Sequence, residues 1–213
     1  MDLLARLSFA AAYLSLDYVT VRGLLSYVAA HSGPADSLFI VNVSARIAVA
    51  IFLATFLAFV LLRRRPIAKA RGIGPRLAAF AGAYMMLLLP LFPVHEMPLP
   101  VAIASAVLVF GGDGLAIFVV WRLGRSISLM AEARRLVTTG PYALMRHPLY
   151  LAEEAAIVGT WLQFASPVTT VMLIAHAAFQ LRRMANEERV LGETFPEYED
   201  YARATPRLIP GVY

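Results

Sequence analysis

The chain has 213 residues, 60% of them hydrophobic and only 15% charged, with a formal net charge of +5. That balance excludes an ordinary soluble domain and points to an all-α bundle of membrane helices. The absence of cysteine excludes disulfides, thiolate catalysis and cysteine-based metal sites.

A membrane span needs about 20 mostly apolar residues. The first apolar region, Leu3 to Ala30, holds Arg6, Asp17 and Arg22. It reads as a span whose Asp17 and Arg22 face protein or headgroups. The opening Met1-Asp-Leu-Leu-Ala-Arg6 has no basic n-region or small-residue cleavage site and reads as retained. Leu38 to Leu62 follows with Arg46 as its one charge, then Leu77 to Val94 with none, then Met97 to Trp121 with Asp113. Ala155 to Leu181 carries no acid, lysine or arginine but is broken at Ser166-Pro167, which predicts a helical hairpin over Leu149 to Phe164 and Pro167 to Met184. The expected total is about five or six transmembrane helices in a single domain. Residues 1–121 are generic membrane helix. Residues 122–213 carry the polar chemistry.

The loops sort by charge. Arg63, Arg64, Arg65, Lys69, Arg71 and Arg76 crowd one loop; Arg122, Arg125, Arg134, Arg135 and Arg146 follow Trp121; and the tail has its own arginines. The loops around Ser32, His95 and Ala165 hold no lysine or arginine. By the positive-inside rule both termini and the polar segment are cytoplasmic, and the Arg- and Ala-rich composition suggests an integral protein of a bacterial inner membrane. Topology and anionic headgroups account for the basic charge, so nucleic acid is not an expected partner. The four histidines, His31, His95, His147 and His176, lack metal-ligand spacing, and no metal site is expected. His176 reads as an interhelical hydrogen bonder. Asp113, within a run of glycines, is an intramembrane carboxylate and so a functional candidate, with Arg46 or Arg22 as expected partner.

The densest polar cluster is Leu136-Val-Thr-Thr-Gly-Pro-Tyr-Ala-Leu-Met-Arg-His-Pro-Leu-Tyr150. Gly140 and Pro141 make a turn before Tyr142. Pro148 suits the first turn of a helix, which places Arg146 and His147 at a helix N-terminus, a favourable place for an anion. Tyr142 and Tyr150 offer ring faces and hydroxyls. Glu187 and Glu188 lie past the last span, and the hairpin returns them to the same side. Cations for a carboxylate, carboxylates for an ammonium or a diol, and tyrosine for a ring match the parts of S-adenosylmethionine.

These residues resemble the isoprenylcysteine carboxyl methyltransferase family and its phospholipid methyltransferase relatives. The resemblance rests on Leu123-Gly-Arg-Ser126, Leu136-Val-Thr138, Gly140-Pro-Tyr142, Arg146-His-Pro148, Tyr150, Glu187-Glu188, Leu191, Phe195, Tyr198, Tyr201 and Pro210, and covers about Trp121 to Pro210. It implies methyl transfer from S-adenosylmethionine to a lipid-like or prenylated acceptor at the cytoplasmic face. Gly140, Tyr142, His147, Pro148, Tyr150, Glu187 and Glu188 would then bind the cofactor. Arg125 falls on the position implied to orient the acceptor, and Arg125 or Arg146 could align an acceptor carboxylate by a bidentate contact. Ala152 stands where the family often has glycine. Glu153-Glu154 follows at once, either as a headgroup-level pair near Arg146 or as a contact for a polar acceptor. Two other readings are an NADPH-dependent sterol or enone reductase of related fold and a non-enzymatic membrane scaffold. The first would need more cationic surface than Arg122 to Arg146 offers; the second would leave the polar cluster without a purpose.

Overall fold

The computed structural model describes residues 2–209. Pro210, the last motif position, lies outside the described residues. Helix α1 runs over Asp2–Ala30 and packs antiparallel to α2, Ser37–Leu62, whose first turn is capped by the Asp36 side chain accepting from the Phe39 amide at 2.7 Å. Helix α3 covers Ile73–Tyr84, α4 Leu99–Leu123, α5 Pro148–Leu162, α6 Pro167–Thr194 and α7 Tyr198–Ala204. The fold is an all-α membrane bundle. Leu14, Leu25, Ile51 and Val107 stay exposed on it, as lipid-facing side chains do.

The helix count is lower than the apolar runs suggest. Among the described residues, three helical stretches are long and apolar enough to cross a membrane: Asn42–Leu62, Ile73–Leu91 and Leu99–Ser126. The first helix forms at its expected place, but Asp17 and Arg22 lower its hydropathy. Helix α5 has 15 residues, a rise of about 22 Å against a hydrocarbon core of about 30 Å. Helix α6 turns charged after Leu181 and continues ten residues beyond its predicted end at Met184, with Asn186 and Val190 still buried. The third span is not one α-helix either. It changes to a 3₁₀ segment over Met85–Leu91, because Pro90 has no N–H to give an α-helical ladder.

The hairpin break is where Ser166-Pro167 predicts it. Ser166 and Thr169 form a reciprocal capping box, and Pro167 opens α6. A two-residue antiparallel pair, β1 (Ala68–Lys69) with β2 (Glu132–Ala133), ties the two arginine-rich loops together. Flanking bonds from the Ile67 amide to the Ala133 carbonyl (2.7 Å) and from the Ala70 amide to the Ala131 carbonyl (2.8 Å) extend it. Buried Arg134 donates to Glu132 and to the Arg64 carbonyl. The C-terminal ends of α2 and α4 therefore share one end of the bundle.

Helices α4 and α5 make the most extensive helix pair, and small residues set their separation. A Cβ on Gly112 would sit 2.5 Å from the Ala156 nitrogen and 2.7 Å from the Ala152 oxygen; one on Gly159 would sit 2.7 Å from the Ser105 carbonyl. The Ser105 hydroxyl donates to the Gly159 carbonyl at 2.7 Å. This contact also holds Asp113 against α5. Because the obstructing atoms are backbone, Gly112→Leu is expected to destabilise the protein by about 3 kcal/mol or more, through overpacking that cannot relax. Thermal unfolding in detergent measures it. A wild-type midpoint would show that the helices separate freely.

Candidate functional site: a polar end on a membrane cavity

The segment before α5 is built by three backbone constraints. Gly140 has φ 64°, in the left-handed region, and starts a 3₁₀ turn, Gly140–Ala143, that carries Tyr142 inward. Pro148 begins α5 with His147 as its N-cap residue. The amides of Arg146 and His147 are then taken by the tail, donating to the carbonyls of Pro206 (2.9 Å) and Arg207 (3.1 Å). The tail is thus a structural partner of the RHP motif, held further by the Tyr201 hydroxyl donating to the Tyr142 carbonyl at 2.7 Å.

The hairpin brings the carboxylates to this segment. Glu188 Oε1 lies 3.0 Å from Arg146 Nη1 and 3.1 Å from His147 Nε2, and both its oxygens accept from Arg207. The Tyr150 hydroxyl donates to Glu187 at 3.0 Å. Burial raises the Glu188 pKa, but hydrogen bonds from His147 and Arg207 and the nearby Arg146 charge outweigh it, holding the group down at about 2. Burial and the neighbouring Glu188 push Tyr198 up to about 12, and burial with Glu187 nearby raises Tyr142 well above the ordinary tyrosine range. These tyrosines are neutral hydroxyls at every working pH.

Together these groups close one end of a cavity of about 540 Å³. Tyr142, Arg146, His147, Tyr150 and Glu187 line it; Glu188 stands behind them as the anion that positions the cations. At its wall the Tyr198 hydroxyl lies beside the Arg146 guanidinium, which is also paired with Glu188. Gly140 and Pro148 shape the backbone without lining the cavity. Arg125 is the expected site residue that the fold does not bring here. It is exposed, and its Nε donates to the Leu62 carbonyl at 2.8 Å, capping α2. Arg207 was missed as a site residue; its distance from the motif in the chain gave no local signal.

Two other expectations are corrected. Asp113 does not pair with Arg46 or Arg22: it faces the cavity beside Glu153, while Arg46 lies over the Tyr27 ring. Glu153 and Glu154 do not pair with Arg146. Glu153 lines the cavity near Arg183, and Glu154 Oε1 lies 2.9 Å from His176 Nε2.

Comparison with known proteins gives this arrangement a family. Residues 101–198 match the model of the phospholipid methyltransferase family. Over 129 residues the chain is 31% identical to a probable protein-S-isoprenylcysteine O-methyltransferase of Oryza sativa subsp. indica, covering 57% of this chain and 68% of that one. The chain belongs to the isoprenylcysteine carboxyl methyltransferase and phospholipid methyltransferase family of membrane proteins. Two bacterial relatives of the family member are each 34% identical over 110 residues, or 51% of this chain. They are the nickel-cobalt-cadmium resistance protein NccN of Alcaligenes xylosoxydans xylosoxydans and the cobalt-zinc-cadmium resistance protein CzcN of Cupriavidus metallidurans. The chain spans about half the length of both, 52% and 51%. Its fold is shared with the eukaryotic intramembrane Ras methyltransferase ICMT, at a TM-score of 0.52 and 18% identity over 97% of this chain and 75% of that one.

For Arg125 the placement yields a specific expectation. Arg125→Ala should leave affinity for a ligand at the Tyr142–Glu187 end unchanged and lower stability by roughly 1 kcal/mol through the lost cap on Leu62. Parallel binding and thermal unfolding measurements separate the two effects.

Proposed function

We propose that this family member transfers a methyl group from S-adenosylmethionine to a lipid-like acceptor at the cytoplasmic face of the membrane. The observation that carries the reading is the meeting of Arg146, His147, Tyr150, Glu187 and Glu188 at one end of a cavity that also has extensive apolar walls. The donor's amino-acid end, ribose diol and adenine match what the cavity offers. Arg146, a cation lining the cavity, suits the carboxylate. Glu187 has acceptor capacity left after its bond from Tyr150 and suits the ammonium or the diol. The Tyr198 hydroxyl and the ring of Tyr142, both in the cavity lining, suit the polar edge and the base. When bound, this cofactor supplies an electrophilic methyl on a positive sulfur. The protein's part is to hold it in line with the acceptor and exclude water.

The apolar walls, including Phe52, Leu53 and Phe56 from α2 and Leu89 from the 3₁₀ segment, support an acceptor with a hydrocarbon tail. The tail can arrive from the bilayer while the head meets the donor at the cavity's polar end. Incubating purified protein with methyl-tritiated donor and a total lipid extract tests this. Label should move into the organic phase, and boiled protein should give none. Label that stays wholly with the donor would remove lipid from the acceptor class.

A further inference from the structure

The polar wall of the cavity does not stop at the donor end. Along α5, Tyr150, Glu153, Ile157 and Thr160 line it; along α6, His176, Gln180, Arg183 and Glu187 do. These spacings of three and four keep each set on one helix face. One turn below the Tyr150–Glu187 pair, about 5 Å, the facing residues are Glu153 and Arg183. Asp113 reaches the same space from α4, brought against α5 by the close approach at Gly112.

Several of these buried groups have unused bonding capacity. Asp113 is 5% exposed, and its Oδ2 has no hydrogen-bond partner among the described residues. The Nδ1 of His176, 1% exposed, is likewise unpartnered among the described residues, while its Nε2 faces Glu154, and the side chain of Gln180, 2% exposed, has Glu153 as a hydrogen-bond partner. Arg183 is better satisfied. It donates to Gln180 and to the Leu129 carbonyl, stacks 5.0 Å over the Tyr150 ring, and has the carboxylates of Glu153 and Glu187 near it. His176 has Glu154 beside it. Glu153 has Arg183 and His176 near it, whereas the charged neighbour of Asp113 among the described residues is another carboxylate, Glu153.

We infer that Asp113 and Glu153 form the acceptor's head-group site, which takes a lipid-tailed acceptor bearing a transferable proton on nitrogen or oxygen and receives that proton during transfer. This rests on the methyl-transfer reading of the cavity. A carboxylate acceptor has no proton to give and would be repelled by the negative charge the pair shares. For a proton-bearing head the step balances. The N–H or O–H proton passes to Glu153. The lone pair left on the nucleophile forms the new bond to the methyl carbon. The carbon–sulfur bond breaks, its electron pair stays on sulfur, and the sulfonium becomes a neutral thioether. Asp113 holds the head group and shares the proton.

The test uses matched probes on the full chain in a neutral detergent, loaded with S-adenosylhomocysteine. Hexadecylamine should bind at least about tenfold more tightly than hexadecanoate, despite the chain's net positive charge. Asp113→Asn with Glu153→Gln should erase that preference with S-adenosylhomocysteine affinity unchanged, which also reports an intact fold. In transfer assays Glu153→Gln should lower methylation of hexadecylamine by about 100-fold or more, with partial recovery in Glu153→Asp. Tighter binding of hexadecanoate, binding of neither probe, a preference that survives the double substitution, or wild-type turnover in Glu153→Gln would each overturn the inference. Failure of the wild-type protein to bind S-adenosylhomocysteine at all would instead overturn the methyl-transfer reading beneath it.

Discussion

Glu188→Ala is expected to abolish donor binding. Its carboxylate is the common partner of Arg146, His147 and Arg207, so truncation leaves three cationic or donor groups uncompensated at the polar end of the cavity. Each unmet charged contact in a poorly hydrated site costs roughly 1.5–3 kcal/mol, and three together exceed the range in which a pocket keeps its shape. The loss should be paired with loosening of the tail, because the Pro206 and Arg207 carbonyls accept from the same segment. Limited proteolysis near Arg207 would report that loosening. His147→Ala should lose donor affinity with less effect on the tail. The pH behaviour follows from the lowered Glu188 pKa. The ionised group's contribution is fully present above about pH 4.5, its ordinary value, and is lost as pH falls through about 2. Tail protection should therefore persist into mild acid in the wild type. A Glu188→Ala protein that binds donor normally would reduce the RHP segment to a helix cap.

Arg183→Ala should be the most destabilising single truncation on the α6 wall. The side chain is 7% exposed and lies among Glu153, Glu187, Gln180 and the Tyr150 ring. The fold makes room for it at Gly82, where a Cβ would meet the Arg183 side chain at 2.6 Å. Removing a guanidinium near two carboxylates in a buried wall should cost about 3–5 kcal/mol. Arg183→Lys keeps the charge but not the fork to Gln180 and Leu129, and should fall between. Unfolding midpoints in detergent give the order wild type, Lys, Ala. An unchanged midpoint for Arg183→Ala would mean that Glu153 and Glu187 carry no charge needing compensation there.

What could be read from the chain was whatever short-range rules control. The Ser166-Pro167 break, the Gly140 turn and Pro148 at the head of α5 follow from backbone chemistry within a few residues. The meeting of Glu187 and Glu188 with Arg146 and His147 followed from one further step, a hairpin that returns to its starting side. What escaped depends on tertiary placement. A two-residue β1–β2 pair is too short to leave an alternating pattern. Arg207 reaches Glu188 because the tail folds back along the motif, and nothing in its neighbours marks that path. Asp113 faces Glu153 because Gly112 lets α4 touch α5, although isolated charges at membrane depth suggested a pairing with arginine. Arg125 looked like a site residue from its motif position, yet the α2 C-terminus claims its guanidinium. Fewer helices qualify as spans among the described residues than there are apolar runs, because Asp17 and Arg22 interrupt α1, α5 is short, and α6 turns charged after Leu181.

The most direct test of the account is a calorimetric titration of the detergent-purified protein with S-adenosylhomocysteine and, separately, with NADPH. The account predicts saturable binding of S-adenosylhomocysteine that disappears in Glu188→Ala, and no heat from NADPH. Binding of NADPH alone would contradict it and place the chain's cavity in the service of a reductase.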